Sequence, residues 1–285
     1  TGIRVADLYS QRVFREKLEA NLSDINYILE NRYKTKGFTV DGVIEEYDQY
    51  AGRLAAYVAD TDIIINDALS KNSKVLFEGA QGTLLDIDHG TYPFVTSSSA
   101  VAGGACTGLG VGPTKITKVL GVVKAYTTRV GEGPFPTEIK GATGEELRER
   151  GGEYGATTGR PRRCGWLDFV GLRHAVRVNG LTGIAITKLD ILDTFDKIKL
   201  CVAYKHNNVI YNDFPKEVQT LEEAEPVYEE MDGWKESTLG IKEFTLLPVN
   251  ARKYLRRIED TLGVGIDLIS TGQRRDELIL IREQF

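Results

Sequence analysis

The sequence has 285 residues, of which 41% are hydrophobic and 27% charged, with a formal net charge of −5. This composition excludes a disordered chain, and no apolar run approaches the roughly 20 residues that a membrane-spanning helix needs. The mild acidity and the lack of basic runs argue against nucleic acid as a partner. The three cysteines lie far apart without metal-ligand spacing, which favours a reducing, cytoplasmic compartment.

Residues from about 8 to 70 are predicted to be helical. The evidence is a set of apolar side chains that recur at about the helical spacing: Val43, Ile44, Tyr47, Leu54 and Val58. Thr39 or Asp41 can cap the helix that contains them. The chain starts at Thr1 without a methionine and runs directly into this pattern, so we expect it to lack an N-terminal portion.

After residue 74 the pattern changes to short apolar strands that alternate with helices. Strands are predicted at residues 75–79, 120–129, 183–187 and 265–270, helices at 167–178 and 248–262, and a hairpin at 200–211 around Asn207 and Asn208. This order predicts an α/β fold, a mixed and largely parallel sheet flanked by helices with small antiparallel additions. We expect a single domain over residues 1–285, helical up to about residue 70. Its sheet and ligand loops occupy residues 74–285, with the loops at the carboxyl ends of the strands.

Residues 155–165, Gly-Ala-Thr-Thr-Gly-Arg-Pro-Arg-Arg-Cys-Gly, combine two threonine hydroxyls with the guanidinium groups of Arg160, Arg162 and Arg163. The planar guanidinium suits bidentate binding of a carboxylate or phosphate, and the flanking glycines let backbone N–H groups approach an anion. A solvated basic loop is the alternative. The threonines favour a ligand loop that clamps a dicarboxylate or a phosphate.

The segment Thr187-Lys188-Leu189-Asp190 follows a predicted strand and can recognise a guanine base. A carboxylate at Asp190 can accept hydrogen bonds from the N1–H and exocyclic amine of guanine, and the aliphatic stem of Lys188 can lie across the base. The segment resembles the Asn-Lys-x-Asp box of GTP-binding proteins, with Thr187 in the asparagine place. A capped strand end is the alternative, and Ser270-Thr271-Gly272 is by itself equally a simple turn.

Residues 77–99 place further polar side chains in glycine-flanked turns. Gln81 can contact an oxo group and a ring N–H of a base, and Thr96 with the serines after it can donate to a phosphate. Asp86, Asp88 and His89 allow a metal site. Turn capping with internal salt bridges is the alternative for these three residues.

Two common catalytic patterns are missing. The glycine-rich segment 103–115 fails the spacing of a phosphate-binding loop and contains Pro113, so we expect a structural turn or a flexible connection there. The three histidines, His89, His174 and His206, and the lack of a Gly-x-Ser-x-Gly elbow argue against a Ser-His-Asp hydrolase. The sequence therefore has a guanine motif without a phosphate loop.

Together these segments resemble the adenylosuccinate synthetase family. The matching stretches fall in order along the chain: residues 77–98, 124–138, 154–168, 187–193, 200–204 and 266–272. The resemblance implies a P-loop-NTPase-like sheet and the GTP-dependent ligation of L-aspartate to IMP, which gives adenylosuccinate, GDP and phosphate in AMP biosynthesis. It also implies a 6-phosphoryl-IMP intermediate, Mg²⁺ as cofactor and a homodimer in the cytoplasm.

The resemblance also assigns roles to individual positions. IMP contacts fall to Gln81, near the reacting oxygen, and to Thr96, Val130 and Arg160. L-Aspartate contacts fall to Ala156, Thr157, Thr158, Gly159, Arg160 and Arg162. GTP contacts fall to Arg162, Lys188, Leu189, Asp190, Ser270, Thr271 and Gly272. Gln273 stands where the family usually has proline, which loosens that turn without removing the site.

In the family, the N-terminal portion carries the phosphate loop, the aspartate base, the histidine acid and the magnesium ligands. None of these has a counterpart in this sequence, so we expect no metal ligands in this chain and no activity from the chain alone. The alternative function is a non-catalytic module that binds IMP or a guanine nucleotide, or that dimerises, if the protein truly starts at Thr1.

Overall fold

The structure, a computed structural model, describes residues 2–155 and 159–283. The described residues up to Ile64 form one compact unit, and those from Ile65 onward form a second. Within the described ranges, none of the helices combines the length and apolar character that a transmembrane span requires.

The first unit is built on the helices α1 (Gln11–Asn31) and α2 (Val40–Leu54). Phe14, Leu18 and Leu22 of α1 are buried, and the ring of Phe14 contacts that of Tyr47 with centroids 6.2 Å apart. Thr39 is the cap of α2, because its side chain accepts from the backbone N–H of Gly42. The predicted helical character is confirmed.

The helix α3 (Thr61–Ser70) contains the boundary between the units, and the second unit holds the remaining helices and all the strands. The helices are α4 (Gly103–Leu109), α5 (Ala142–Gly151), α6 (Phe169–Asn179), α7 (Val218–Glu223) and α8 (Val249–Leu262). The strands are β1 (Leu120–Lys124), β2 (Thr127–Arg129), β3 (Arg163–Gly165), β4 (Leu167–Asp168), β5 (Gly183–Thr187), β6 (Lys197–His206), β7 (Val209–Tyr211), β8 (Glu225–Asp232), β9 (Ile266–Ser270) and β10 (Leu278–Leu280).

The main sheet has the strand order β1-β5-β9-β10. β1, β5 and β9 run parallel, and β10 is antiparallel to β9. Ile184, Ala185 and Ile186 are consecutive buried residues of β5, so this strand is covered on both faces. Because these three strands are parallel, the loops that follow them emerge at one edge of the sheet.

A second sheet pairs β4 parallel to β6, and both β7 and β8 antiparallel to β6. Asn207 and Asn208 have positive φ angles of 49° and 62°, the turn chemistry of a tight hairpin, so the predicted hairpin is confirmed. A small antiparallel pair, β2 with β3, completes the strands. The fold is α/β, as predicted, with mixed sheets flanked by helices, but parallel pairing dominates only in the main sheet, because β6 pairs antiparallel with both β7 and β8.

Two strand predictions are wrong. Residues 75–79 form no strand in the described structure, and Leu76 is 78% exposed, because an apolar run becomes a strand only when a neighbour satisfies its backbone groups. Residues 120–129 are two strands, not one. The backbone N–H of Ala125 donates to Thr187 O at 2.8 Å, and the chain then leaves the main sheet to enter β2.

Candidate functional site

The arginine-rich segment forms a loop that is closed at its base. Tyr154 and Pro161 form an antiparallel bridge, and the Gly155 N–H donates to the Arg160 carbonyl at 2.9 Å. Gly159 has a φ of +63°, which favours glycine, and its N–H donates to Gly155 O. Three predicted L-aspartate contacts lie outside the described residues: Ala156, Thr157 and Thr158.

Arg163 does not join the other two arginines of this loop. Its guanidinium makes a bidentate pair with Glu138, at 2.9 and 2.7 Å, and donates to Gly133 O at 2.8 Å. The pair holds the pKa of the Glu138 carboxyl below its usual range. Arg163 therefore anchors β3, which leaves Arg160 and Arg162 as the candidates for the predicted clamp.

A buried carboxylate that the sequence did not single out organises the site. Glu153 is fully buried, and its carboxylate accepts from Lys124 Nζ at 2.8 Å and from the Tyr126 hydroxyl at 2.6 Å. Arg162 Nη1 donates to it at 2.7 Å, and Lys188 Nζ lies 3.1 Å away. Burial opposes ionisation, but the hydrogen bonds of Lys124, Tyr126 and Arg162 outweigh it and lower the pKa of Glu153 to about 2.

One signal in the sequence was available for Glu153. Lys124 ends β1 and Lys188 directly follows β5, the neighbouring parallel strand. Two lysines at adjacent strand ends need a nearby counter-charge, because like charges at short range repel in a partly buried site. An acidic residue at the start of the arginine loop was the candidate to provide it.

The depressed pKa of Glu153 predicts a pH dependence of stability. Its ionised form stabilises the folded protein fully above pH 4.5, the ordinary pKa of a glutamate, and that contribution is lost as the pH falls towards the folded-state pKa of about 2. The difference in free energy of unfolding between wild type and Glu153→Gln should therefore shrink across this range. Urea unfolding at a series of pH values measures it, and a constant difference would contradict the prediction.

The predicted guanine box lies at the end of β5. Lys188 has a φ of +60°, and its ammonium also donates to the carbonyl of Gly151. Asp190 is half-buried in a short 3-10 helix, Leu189–Leu192, and burial together with the nearby Asp193 raises the pKa of its carboxyl. The Leu189 side chain is fully buried in the core, so only its backbone can face a ligand.

Ser270 is the last residue of β9, the strand beside β5, and Thr271 and Gly272 follow it, so the two proposed walls of the guanine pocket share one sheet edge. Thr271 is fully buried: its hydroxyl donates to Ile241 O at 2.9 Å and its N–H to Glu277 O at 3.0 Å. The hydroxyl of Ser270 donates to Gly272 O at 2.8 Å. The side chain of Thr271 thus supports the turn.

Two predicted IMP contacts, Gln81 and Val130, lie on a groove of about 2010 Å³ whose lining also includes Lys124 and Arg162. Gln81 has a φ of +65°, uncommon for a residue with a side chain, and such backbone strain is typical of functional sites. Val130 is 52% exposed directly after β2. The structure therefore brings Gln81, Val130 and Arg162 to one groove.

Thr96 lies outside the lining of that groove. Its N–H donates to Leu85 O at 2.8 Å, and its hydroxyl lies 2.9 Å from that of Ser98 and accepts from the Ser98 N–H. The loop that carries Thr96 is therefore folded back onto the short 3-10 helix that follows Gln81.

Asp86 has a structural role in the same loop. Its buried carboxylate accepts from the backbone N–H groups of Asp88 and His89 at 2.9 Å and of Val101 at 3.1 Å. Of the two alternatives for Asp86, a metal ligand or a turn cap, these hydrogen bonds match the turn cap. Among residues 2–155 and 159–283, no cluster of three or more His, Cys, Asp or Glu side chains could hold a metal ion.

The glycine-rich segment 103–115 is more regular than a flexible connection. It forms α4, whose C-cap Gly110 has a φ of +69°, followed by a 3-10 turn over Pro113–Lys115. A short helix with a glycine C-cap and a 3-10 turn are regular elements, so this geometry is consistent with the expected structural role.

Comparison with known proteins adds to this geometry. A family model described as adenylosuccinate synthetase matches residues 1–279. The adenylosuccinate synthetase of Thermodesulfovibrio yellowstonii is 64% identical over 279 residues, which are 98% of this chain and 66% of that protein. The one of Carboxydothermus hydrogenoformans is 56% identical over 285 residues, covering 100% of this chain and 67% of the relative.

A solved structure gives the same result in three dimensions. The structure of fully ligated adenylosuccinate synthetase from Plasmodium falciparum superposes with a TM-score of 0.90 at 40% sequence identity. The alignment covers 99% of this chain and 66% of the solved chain. The chain therefore spans about two thirds of the length of the proteins it matches.

Proposed function

The chain belongs to the adenylosuccinate synthetase family, and from that premise we propose that the protein is a ligase that joins L-aspartate to IMP at the expense of GTP. The γ-phosphoryl group of GTP moves to the C6 oxygen of IMP and gives 6-phosphoryl-IMP and GDP. The aspartate amine then bonds to C6 and phosphate leaves with that oxygen, which gives adenylosuccinate for AMP biosynthesis. The observation that carries the proposal is family membership across nearly the whole chain.

In the proposed IMP site, Gln81 and Val130 lie on the groove, and Thr96 lies outside its lining. We assign Gln81 to the reacting edge of the hypoxanthine base, where its amide can both donate and accept a hydrogen bond. Val130 contacts the ribose, and the hydroxyl of Thr96 donates to the 5′-phosphate. Gln81 is the residue that stands nearest the reacting oxygen in this assignment, so it is the one assigned to catalysis.

The L-aspartate side is the arginine loop. Arg160 binds a substrate carboxylate and faces IMP, and Arg162 reaches aspartate and the nucleotide phosphates. The closed base of the loop supports these roles because it fixes the backbone from which both guanidinium groups extend. The threonines of the loop, Thr157 and Thr158, with Ala156 and Gly159, complete the proposed contacts.

GTP is placed at the ends of β5 and β9. The Asp190 carboxylate accepts from the N1–H and amine of guanine, Lys188 lies across the base, and residues 270–272 form the opposite wall of the pocket. The shared sheet edge and the half-buried position of Asp190 support this assignment, because a partly desolvated carboxylate discriminates between bases more strongly than an exposed one.

We further propose Mg²⁺ as the companion of GTP, a homodimeric assembly and a cytoplasmic location, as in the resemblance. The described residues do not form a site that fits the metal, so no step is assigned to it. When bound, Mg²⁺ would neutralise charge on the phosphates of GTP.

A coupled assay on the complete gene product tests the function. We expect adenylosuccinate and GDP to form in equal amounts, only when IMP, GTP and L-aspartate are all present. Omission of each substrate in turn is the control. Binding of IMP or GTP without turnover would support the alternative of a non-catalytic module and overturn the ligase.

A further inference from the structure

One carboxylate holds basic side chains from three separate parts of the chain. Glu153 follows the C-cap of α5, and its two oxygens receive Lys124 from β1 and Arg162 from the arginine loop. Lys188 of the guanine box reaches the same carboxylate at 3.1 Å. Glu153 is therefore the point at which the proposed L-aspartate loop and the proposed guanine box meet.

The surroundings fix this carboxylate in place. Its side chain is fully solvent-inaccessible, and the Tyr126 hydroxyl donates to Oε1 at 2.6 Å. The Glu153 backbone donates to Arg148 O at 2.9 Å and accepts from the Arg162 N–H at 2.9 Å. Both the backbone and the side chain of Glu153 therefore hold Arg162.

We propose that Glu153 is a positioning residue that fixes Arg162 and Lys188 in a single geometry, so that L-aspartate and GTP both depend on it for binding. The inference rests on the proposed function. Three cations converge on this one anion, and without it they repel one another at short range in a partly buried site. A neutral amide at this position has one acceptor oxygen and presents an N–H group to at least one of the cations.

The proposal separates Glu153 from the residues that contact ligands. A contact residue changes the KM of the substrate it binds. A residue that only supports the fold changes stability and the amount of active enzyme, and leaves the KM values as they are. A positioning residue shared by two ligand sites changes two KM values together.

Steady-state kinetics of Glu153→Gln in the complete enzyme test the proposal. We expect the KM values for GTP and L-aspartate each to rise about tenfold, with the KM for IMP within about twofold of wild type. Glu229→Gln is the matched control. Glu229 makes an equally close pair with Arg257, at 3.0 and 2.7 Å, between β8 and α8, and its loss should leave all three KM values unchanged.

A second variant keeps the test decisive if Glu153→Gln does not fold. Glu153→Asp keeps the negative charge but withdraws it by about one methylene, so a positioning role still predicts that both KM values rise. Unchanged KM values for GTP and L-aspartate in a folded variant of an active enzyme would overturn the inference alone. An inactive wild-type enzyme would overturn the proposed function, and this inference with it.

Discussion

Replacement of Arg160 by leucine is expected to raise the KM for L-aspartate about a hundredfold, since a substrate carboxylate would lose its charged partner. The backbone carbonyl of Arg160 already accepts from the Gly155 N–H, a bond that does not involve the side chain. The substitution therefore removes the guanidinium while the base of the loop stays closed.

Initial rates as a function of L-aspartate concentration, at saturating IMP and GTP, measure this effect. Arg177→Leu is the matched control, because Arg177 pairs with Asp213 at 2.5 Å on the exposed side of α6. It should leave the KM for L-aspartate unchanged. An Arg160→Leu enzyme with an aspartate KM within about twofold of wild type would contradict the role assigned to this residue.

Elements with local signals are predictable from the sequence. Gly180 and Gly263, with φ angles of +61° and +65°, end α6 and α8 where the glycine pattern places the ends. Asn207 and Asn208 form the expected hairpin turn. In each case a few adjacent residues determine the backbone conformation, so a short stretch of sequence is sufficient to predict it.

Strand pairing is a non-local property and accounts for the errors. Residues 75–79 have the apolar character of a strand, yet their conformation depends on a partner that no local pattern specifies. Residues 120–129 form a nearly continuous β-prone run, but Ala125 bonds to Thr187, and the chain divides between two sheets at that point. An apolar pattern predicts strand character without predicting the sheet that a strand joins.

The sequence predicted part of the candidate site. Loops after parallel strands share an edge, so the ends of β5 and β9 were expected to meet. The sequence pattern predicted that three neighbouring arginines form one clamp. In an extended chain, however, successive side chains point to opposite sides. Arg162 accordingly faces Glu153, while its neighbour Arg163 faces Glu138. The role of Glu153 depends on partners distant in sequence and required the structure.

Replacement of Asp190 by asparagine is expected to reduce the preference for GTP over ITP by about tenfold or more. ITP lacks the exocyclic amine that is proposed to donate a hydrogen bond to the Asp190 carboxylate. The wild-type enzyme therefore loses one charge-assisted hydrogen bond when ITP replaces GTP. An asparagine amide accepts through one uncharged oxygen and presents an N–H group to the donors of guanine, so it gains much less from the amine.

The ratio of kcat/KM for GTP to that for ITP measures this preference. Asp196→Asn is the control, because Asp196 is exposed and pairs with Lys235, and its ratio should equal that of wild type. Burial raises the pKa of Asp190, so its carboxylate becomes protonated at a higher pH than that of an exposed aspartate. The preference of the wild-type enzyme for GTP should therefore also decline at that higher pH. Asp190→Asn has no carboxyl to protonate and should lack that decline. An unchanged ratio in Asp190→Asn would place guanine recognition elsewhere, whereas a reduced ratio without the acid decline identifies the ionised carboxylate as the group that recognises guanine.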